Sequence, residues 1–285
     1  MEIKKVGICG LGQMGSGIAE VAARAGFSVT GREISNELVQ KGLARINQSL
    51  SKAVEKGKLE ETTKKEILGR IEGTTRITDL ADCDLVIEAI VENIDEKTKL
   101  FKELDTYIQD DAIFASNTSS LSITEIGAVT KRGGKFCGLH FFNPVPVMKL
   151  VELVRTIDTS DDTLNAARAF AEKLGKAVVS CKDSPGFVVN RLLVPYLFDA
   201  IRAYEAGVAS REDIDAGMKL GCGHPMGPLE LNDYIGLDTM YYIGEIFFAE
   251  YKDHHYAPPP LLKQMVKAGY LGRKSGRGFY DYSRK

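Results

Sequence analysis

Apolar residues fall along the first half of the chain in short runs, separated by stretches with helical spacing. Val6-Gly7-Ile8-Cys9 reads as a buried strand, and Ile18, Val21, Ala22 and Ala25 follow on one helical face. Gly26 supplies the stop for that helix, and Phe27-Ser28-Val29-Thr30 reads as the next strand. Further runs occur at Asp84-Leu85-Val86-Ile87, Ala112-Ile113-Phe114-Ala115 and Gly138-Leu139-His140-Phe141-Phe142, with a helical stretch from Ile94 to Ile108. This alternation predicts an α/β fold, a Rossmann-type, mostly parallel sheet covered by helices. Residues 35–72 interrupt it with a polar, protruding helical hairpin turning at Gly57.

Beyond Ser184-Pro185-Gly186 the pattern changes. Pro185 reads as a helix start, and the chain stays apolar to Ala206 apart from Asn190, Arg191 and Asp199. Ser210-Arg211-Glu212-Asp213 offers a capping box, and Leu229 to Tyr251 reads as one long helix. Pro258-Pro259-Pro260 breaks the chain before a last helix. The expectation is two domains, 1–184 and 185–285, the second smaller and all-helical.

Composition narrows the function classes. The chain has 285 residues with 37 basic and 39 acidic side chains, a net charge of −2. That balance argues against a global basic surface, so no nucleic-acid partner is expected. No run approaches the ~18 apolar residues of a membrane span. Met1-Glu2-Ile3-Lys4-Lys5 enters the first strand without signal-peptide anatomy, which points to the cytoplasm. Cys9, Cys83, Cys137, Cys181 and Cys222 have no metal-ligand or disulfide spacing and read as reduced core residues. Within 35–72, eight basic residues face six acidic ones. Such a hairpin is either a solvated face or a mildly basic arm for a phosphorylated ligand.

Gly10-Leu11-Gly12-Gln13-Met14-Gly15 is a GxGxxG motif, and its place between the first strand and helix makes it informative. Gly10 would permit the tight turn, Gly12 the approach of a pyrophosphate and Gly15 close helix–strand packing. Glu33, after the second strand, is the candidate for the adenosine ribose, and its carboxylate favours NAD. Arg32 beside it would attract a 2′-phosphate, which leaves NADP open. Among four histidines, His140 stands out at the end of an apolar strand. A lone strand histidine is usually structural, but Glu152 lies in the next apolar run, Lys149 to Val154. A turn at Val145-Pro146-Val147 would bring the two together as a general base with its tautomer set by a carboxylate. Asn117-Thr118-Ser119-Ser120 reads as a helix cap with one residue left for a ligand, and Asn190 either satisfies backbone near the Pro195 kink or points into an interdomain cleft. His254-His255 has no ligand partner and reads as surface, so no metal is expected.

The segments Ser116 to Leu121, His140 to Glu152, Asp183 to Arg191, His224-Pro225-Met226-Gly227-Pro228 and Gly272 to Tyr280 closely resemble the L-3-hydroxyacyl-CoA dehydrogenases. The chain is most similar to stand-alone bacterial members acting on (S)-3-hydroxybutyryl-CoA, and the resemblance spans its whole length. It implies that His140 takes the proton of the 3-hydroxyl, that Glu152 orients His140, and that Ser119 and Asn190 bind substrate oxygens. It implies dinucleotide contacts from Glu92, Lys97, Asn117, Asn143 and Lys274, and coenzyme A contacts from Lys52 and Lys56 on the arm. It further implies an acyl-CoA thioester substrate and a homodimer formed through the helical domain. Glu33 stands where the family commonly has aspartate, beside Gly31, which keeps the NAD/NADP choice open. Two other readings of the same motifs are a free 3-hydroxy-acid dehydrogenase and a non-catalytic nucleotide-binding protein.

Overall fold

The computed structural model describes residues 2–283. The chain divides into two compact units, Met1–Ser184 and Pro185–Lys285. The first unit opens with β1 (Lys5–Cys9), α1 (Gln13–Arg24), β2 (Ser28–Arg32), α2 (Asn36–Glu55), α3 (Glu61–Leu68) and β3 (Ile71–Thr74). It continues with β4 (Leu85–Glu88), α4 (Ile94–Tyr107), β5 (Ile113–Ser116) and α5 (Ile123–Gly127). Then come β6 (Phe136–Phe141), β7 (Leu150–Arg155), α6 (Asp161–Lys173) and β8 (Ala177–Lys182). Among the described residues these strands form one sheet in the order β3-β2-β1-β4-β5-β6-β7-β8. Neighbours are parallel except β6 and β7, which run antiparallel. The order reverses between β1 and β4, so a crevice opens beyond their carboxyl ends.

Burial explains which strands the apolar pattern finds. Every residue of β4 and β5 is buried, and both are apolar runs up to the polar residue that closes each, Glu88 and Ser116. The edge strands β3 and β8 are largely exposed and carry Glu72, Thr74, Ser180 and Lys182. Their mixed composition hides them, and residues 71–72, expected in the helical hairpin, belong to β3. Side chains such as Ile8, Ile18, Ile87, Leu139 and Leu153 are fully covered, each worth about 1.5–3 kcal/mol over exposure. Gly26 ends α1 at φ +92°, and Asn93 caps α4 by accepting from the Glu96 N–H at 3.1 Å. In α2, Val39, Gly42, Ile46 and Leu50 face inward at helical spacing, and Gly57 turns the chain at φ +65°.

The second unit contains α7 (Val189–Glu205), α8 (Arg211–Cys222), α9 (Pro228–Ile235), α10 (Leu237–Tyr251) and α11 (Pro260–Lys267). Leu197, Phe198, Ile201, Leu229, Leu237, Met240, Phe247 and Leu262 make its core. Ser210 caps α8, accepting from the Asp213 N–H at 3.1 Å as its spacing predicts. Three expectations are corrected. Residues 185–188 form a turn, with Gly186 and Phe187 at positive φ, so Pro185 precedes the helix instead of opening it. The single helix expected from Leu229 to Tyr251 is two, because Gly236 takes φ +106° between α9 and α10. A third concerns the thiols: Cys9, Cys83 and Cys137 are buried, with burial pushing Cys137 up to about 12, but Cys222 is exposed. It sits on α8, which buries only Asp215. No helix among the described residues is long and apolar enough to cross a membrane.

Candidate functional site

A cavity of about 590 Å³ lies in the crevice, lined by Gly10, Gly12, Gln13 and Met14 after β1, Arg32 at the end of β2 with Glu33 and Ile34 after it, and Ala89, Ile90 and Val91 after β4. The three motif glycines answer to different demands. Gly10 has φ +93°, and a Cβ there would sit 2.6 Å from the Ala89 carbonyl oxygen. A Cβ on Gly15 would lie 1.7 Å from the Gly10 oxygen, so helix and strand touch there. At Gly12 a Cβ would meet nothing within 4 Å. No protein atom crowds that position, so the loop backbone there is open to the cavity. Gly12 is also the N-cap of α1 without a capping side chain, so the helix start offers N–H groups suited to an anion.

Leu11 anchors this loop. Its side chain is fully buried, and a Cβ on Gly31 or Gly42 would clash with it at 2.7 and 2.4 Å. Gly31 in β2 is therefore the seat of Leu11. Glu33 accepts from the Leu11 N–H at 2.7 Å and from the Ile34 N–H at 3.2 Å, which fixes the carboxylate at the cavity wall. The exposed apolar side chains of Ile34 and Val91 complete that wall. Apolar surface for a base, a carboxylate for ribose hydroxyls and a bare helix start for a diphosphate fit a dinucleotide.

The second cluster lies on β6 and β7, where His140 and Glu152 are directly opposed in the antiparallel register. Their side chains share one face, and Nδ1 of His140 is 2.7 Å from Oε2 of Glu152. Glu152 is 0% exposed, between buried Val151 and Leu153, and His140 is 6% exposed. A buried carboxylate there demands a charge-capable partner, and the imidazole supplies it. Two neighbours hold the hairpin connection. Lys176 donates from Nζ to the carbonyls of Val145 at 2.6 Å and Met148 at 2.7 Å. Gly17 of α1 lets Val145 approach, since a Cβ there would be 2.9 Å from it. Asn117 accepts from the Phe141 N–H at 2.9 Å, and Gln13 donates to Oδ1 of Asn143 at 3.0 Å. Loop and hairpin are thus joined by residues from both.

The turn carrying Ser119 is held by Glu92. Its carboxylate accepts from the Thr118 hydroxyl, the Ser119 N–H at 3.3 Å and the Ser120 hydroxyl at 3.2 Å. Burial opposes ionisation of Glu92, but Lys97, Thr118 and Ser119 outweigh it and hold its carboxyl below the usual range. Lys97 is 1% exposed, and its ammonium bonds Glu88 at 2.5 Å and Glu92 at 3.3 Å. Lys52 and Lys56 are exposed, one turn apart at the end of α2. In the second unit, Asn190 stands in the first turn of α7 and Lys274 pairs with Asp238 at 2.5 Å.

Residues 5–184 match the family model for the 3-hydroxyacyl-CoA dehydrogenase NAD binding domain, and residues 186–282 match that for the 3-hydroxyacyl-CoA dehydrogenase C-terminal domain. The chain belongs to the 3-hydroxyacyl-CoA dehydrogenase family. It is 53% identical to a 3-hydroxybutyryl-CoA dehydrogenase of Mycobacterium tuberculosis over 282 residues, 98% of this chain and 99% of that one. It is 51% identical to a probable 3-hydroxybutyryl-CoA dehydrogenase of Bacillus subtilis, covering 100% of this chain and 99% of the other. The crystal structure of (S)-3-hydroxybutyryl-CoA dehydrogenase from Ralstonia eutropha superposes with a TM-score of 0.97 at 51% identity, covering 99% of this chain and 100% of that one.

As a 3-hydroxyacyl-CoA dehydrogenase with a NAD-binding domain, the enzyme works with a nicotinamide cofactor. Sequence reasoning missed three supports of its first unit: Glu88, Lys176 and Asp183. Asp183 accepts from the Ile123 and Thr124 N–H groups at 3.2 and 2.7 Å and so anchors the far side of the Ser119 turn. An acid closing a wholly apolar strand, as Glu88 does in Leu85-Val86-Ile87-Glu88, is the one signal that would have flagged it.

Proposed function

We propose that this dehydrogenase catalyses the reversible, NAD-linked oxidation of (S)-3-hydroxybutyryl-CoA to acetoacetyl-CoA. The observation carrying this reading is the buried His140–Glu152 pair at 2.7 Å in a member of this family. His140 removes the proton of the 3-hydroxyl through Nε2. Glu152 holds the proton on Nδ1, which keeps Nε2 basic and stabilises the imidazolium that forms. When bound, NAD⁺ supplies the acceptor for the hydride leaving C3. Ser119 and Asn190 hold the substrate oxygens so that C3 is fixed for transfer. Lys52 and Lys56 meet phosphates of coenzyme A.

Glu33 favours NAD over NADP because its carboxylate, held at the cavity wall, repels a 2′-phosphate. Glu92, Lys97, Asn117, Asn143 and Lys274 shape the cofactor's surroundings, with Lys97 acting through the carboxylates it binds. The helical second unit forms a homodimer, and the enzyme works in the cytoplasm, where acyl-CoA and NAD are drawn upon.

The test is oxidation of NADH and NADPH with acetoacetyl-CoA, a longer 3-ketoacyl-CoA and free acetoacetate. Turnover of acetoacetyl-CoA with NADH, and little with acetoacetate, is expected. Equal rates on acetoacetate would make the protein a free 3-hydroxy-acid dehydrogenase, and no turnover at all would make it a non-catalytic relative.

A further inference from the structure

Glu88 lies at the end of β4, 0% exposed, outside every role described so far. A carboxylate taken out of water needs compensation on both oxygens, and here each oxygen starts a separate chain of bonds. Oε1 accepts from Lys97 Nζ at 2.5 Å and from the Ile90 N–H at 2.7 Å. Lys97 passes the contact to Glu92 at 3.3 Å, and Glu92 accepts from the Thr118 hydroxyl and the Ser119 N–H. Oε2 accepts from the Ser116 hydroxyl at 2.6 Å. Ser116 stands opposite Glu88 in the β4–β5 register, and its oxygen accepts from the Thr118 N–H at 3.3 Å.

Both chains end on Thr118, one at its hydroxyl and one at its N–H. Residues 117–120 are neither helix nor strand, so side-chain bonds set the shape of this turn. The cluster holds two carboxylates and one ammonium in a buried setting, where each member depends strongly on the others. We infer that Glu88 is a positioning residue that fixes the turn presenting Ser119. This rests on the proposed role of Ser119 in holding the substrate. Misplacement of such a group by about 1 Å costs up to about 10²-fold in rate. A change at Glu88 therefore lowers kcat more than it weakens binding.

A double-mutant cycle with acetoacetyl-CoA and NADH tests the inference, using Glu88→Gln, Ser119→Ala and the pair. Glu88→Gln keeps the shape and removes the charge. It should lower kcat about tenfold, with KM for acetoacetyl-CoA and NADH affinity changed less than about twofold. In the Ser119→Ala background most of that loss should vanish. The full tenfold loss persisting there overturns the inference and makes Glu88 a general stability residue. A Ser119→Ala enzyme with undiminished kcat instead refutes the substrate role of Ser119, and the inference with it, from the single variant alone. Should Glu88→Gln fail to fold, Ser116→Ala cuts one chain and enters the same cycle, with additivity again overturning the inference.

Discussion

The two units differ in what they pair with buried acids. In the first, Glu152 meets an imidazole and Glu88 and Glu92 share the ammonium of Lys97, so each has a cationic or charge-capable side chain among its partners. In the second, Asp215 accepts from the Leu229 and Glu230 N–H groups at 2.8 and 3.0 Å, capping α9, and from the Tyr280 hydroxyl at 2.8 Å. Asp233 accepts from the Phe279 and Tyr280 N–H groups at 2.8 and 2.9 Å, and from the Tyr282 hydroxyl at 3.1 Å. The second pair ties backbone together. Gly278 belongs to that knot, since a Cβ on it would lie 1.9 Å from the Asp233 carboxylate. An acid satisfied by main-chain donors holds a fold, whereas one paired with a titratable side chain can move or steady charge.

That contrast is open to direct attack. His140→Gln should lower kcat by about 10²–10⁴-fold with unchanged NADH binding, measured by steady-state kinetics and fluorescence titration, with only a modest fall in the calorimetric midpoint because Gln can still donate to Glu152. A large stability loss without a rate effect would reverse the assignment of the first unit's acids. Asp233→Ala should act the other way, costing about 3 kcal/mol in denaturant unfolding because three donors, one buried and two half-buried, lose their acceptor. Activity per folded molecule should change little.

Smaller effects sharpen the picture within the first unit. Gly12→Ala should weaken NADH binding about tenfold, about 1.4 kcal/mol, without moving the thermal midpoint. Gly15→Ala should destabilise the fold itself, because its Cβ has no room. Lys52→Ala and Lys56→Ala should each raise KM for acetoacetyl-CoA a few-fold, about 0.3–1 kcal/mol, an effect that disappears at high salt. The smallest is a pH effect. Glu92 in the fold ionises below its ordinary value of 4.5, so its contribution to stability is complete above that value and fades as pH falls below it. Glu92→Gln should therefore differ from the parent by a constant amount near neutrality and converge on it in acid, as read by chemical unfolding across pH.

The buried strands and the caps at Gly26 and Ser210 were legible because their signals are local: an apolar run, a stop residue, a hydroxyl three positions before an N–H. His140 and Glu152 were legible as a pair because one short connection separates two apolar runs. Glu88 announced itself only as an acid closing an apolar strand; its partners were not legible, since Lys97 comes from α4 and Ser116 from β5. Edge strands β3 and β8 escaped for want of a second covering face, and Gly236 escaped because its φ is set by its surroundings.

The sequence alone determined the alternation of strand and helix, the glycine loop and the residue types of the acid–base pair, because hydrophobic period and backbone chemistry act over a few neighbouring residues. Tertiary structure decided what those residues touch. Only it sets Leu11 against Gly31 and Gly42, leaves Gly12 facing empty space, and gives Lys97 to two carboxylates. Burial makes those choices. A charge or a close approach is tolerated only where distant segments supply its partner, and no local pattern records which segment will do so.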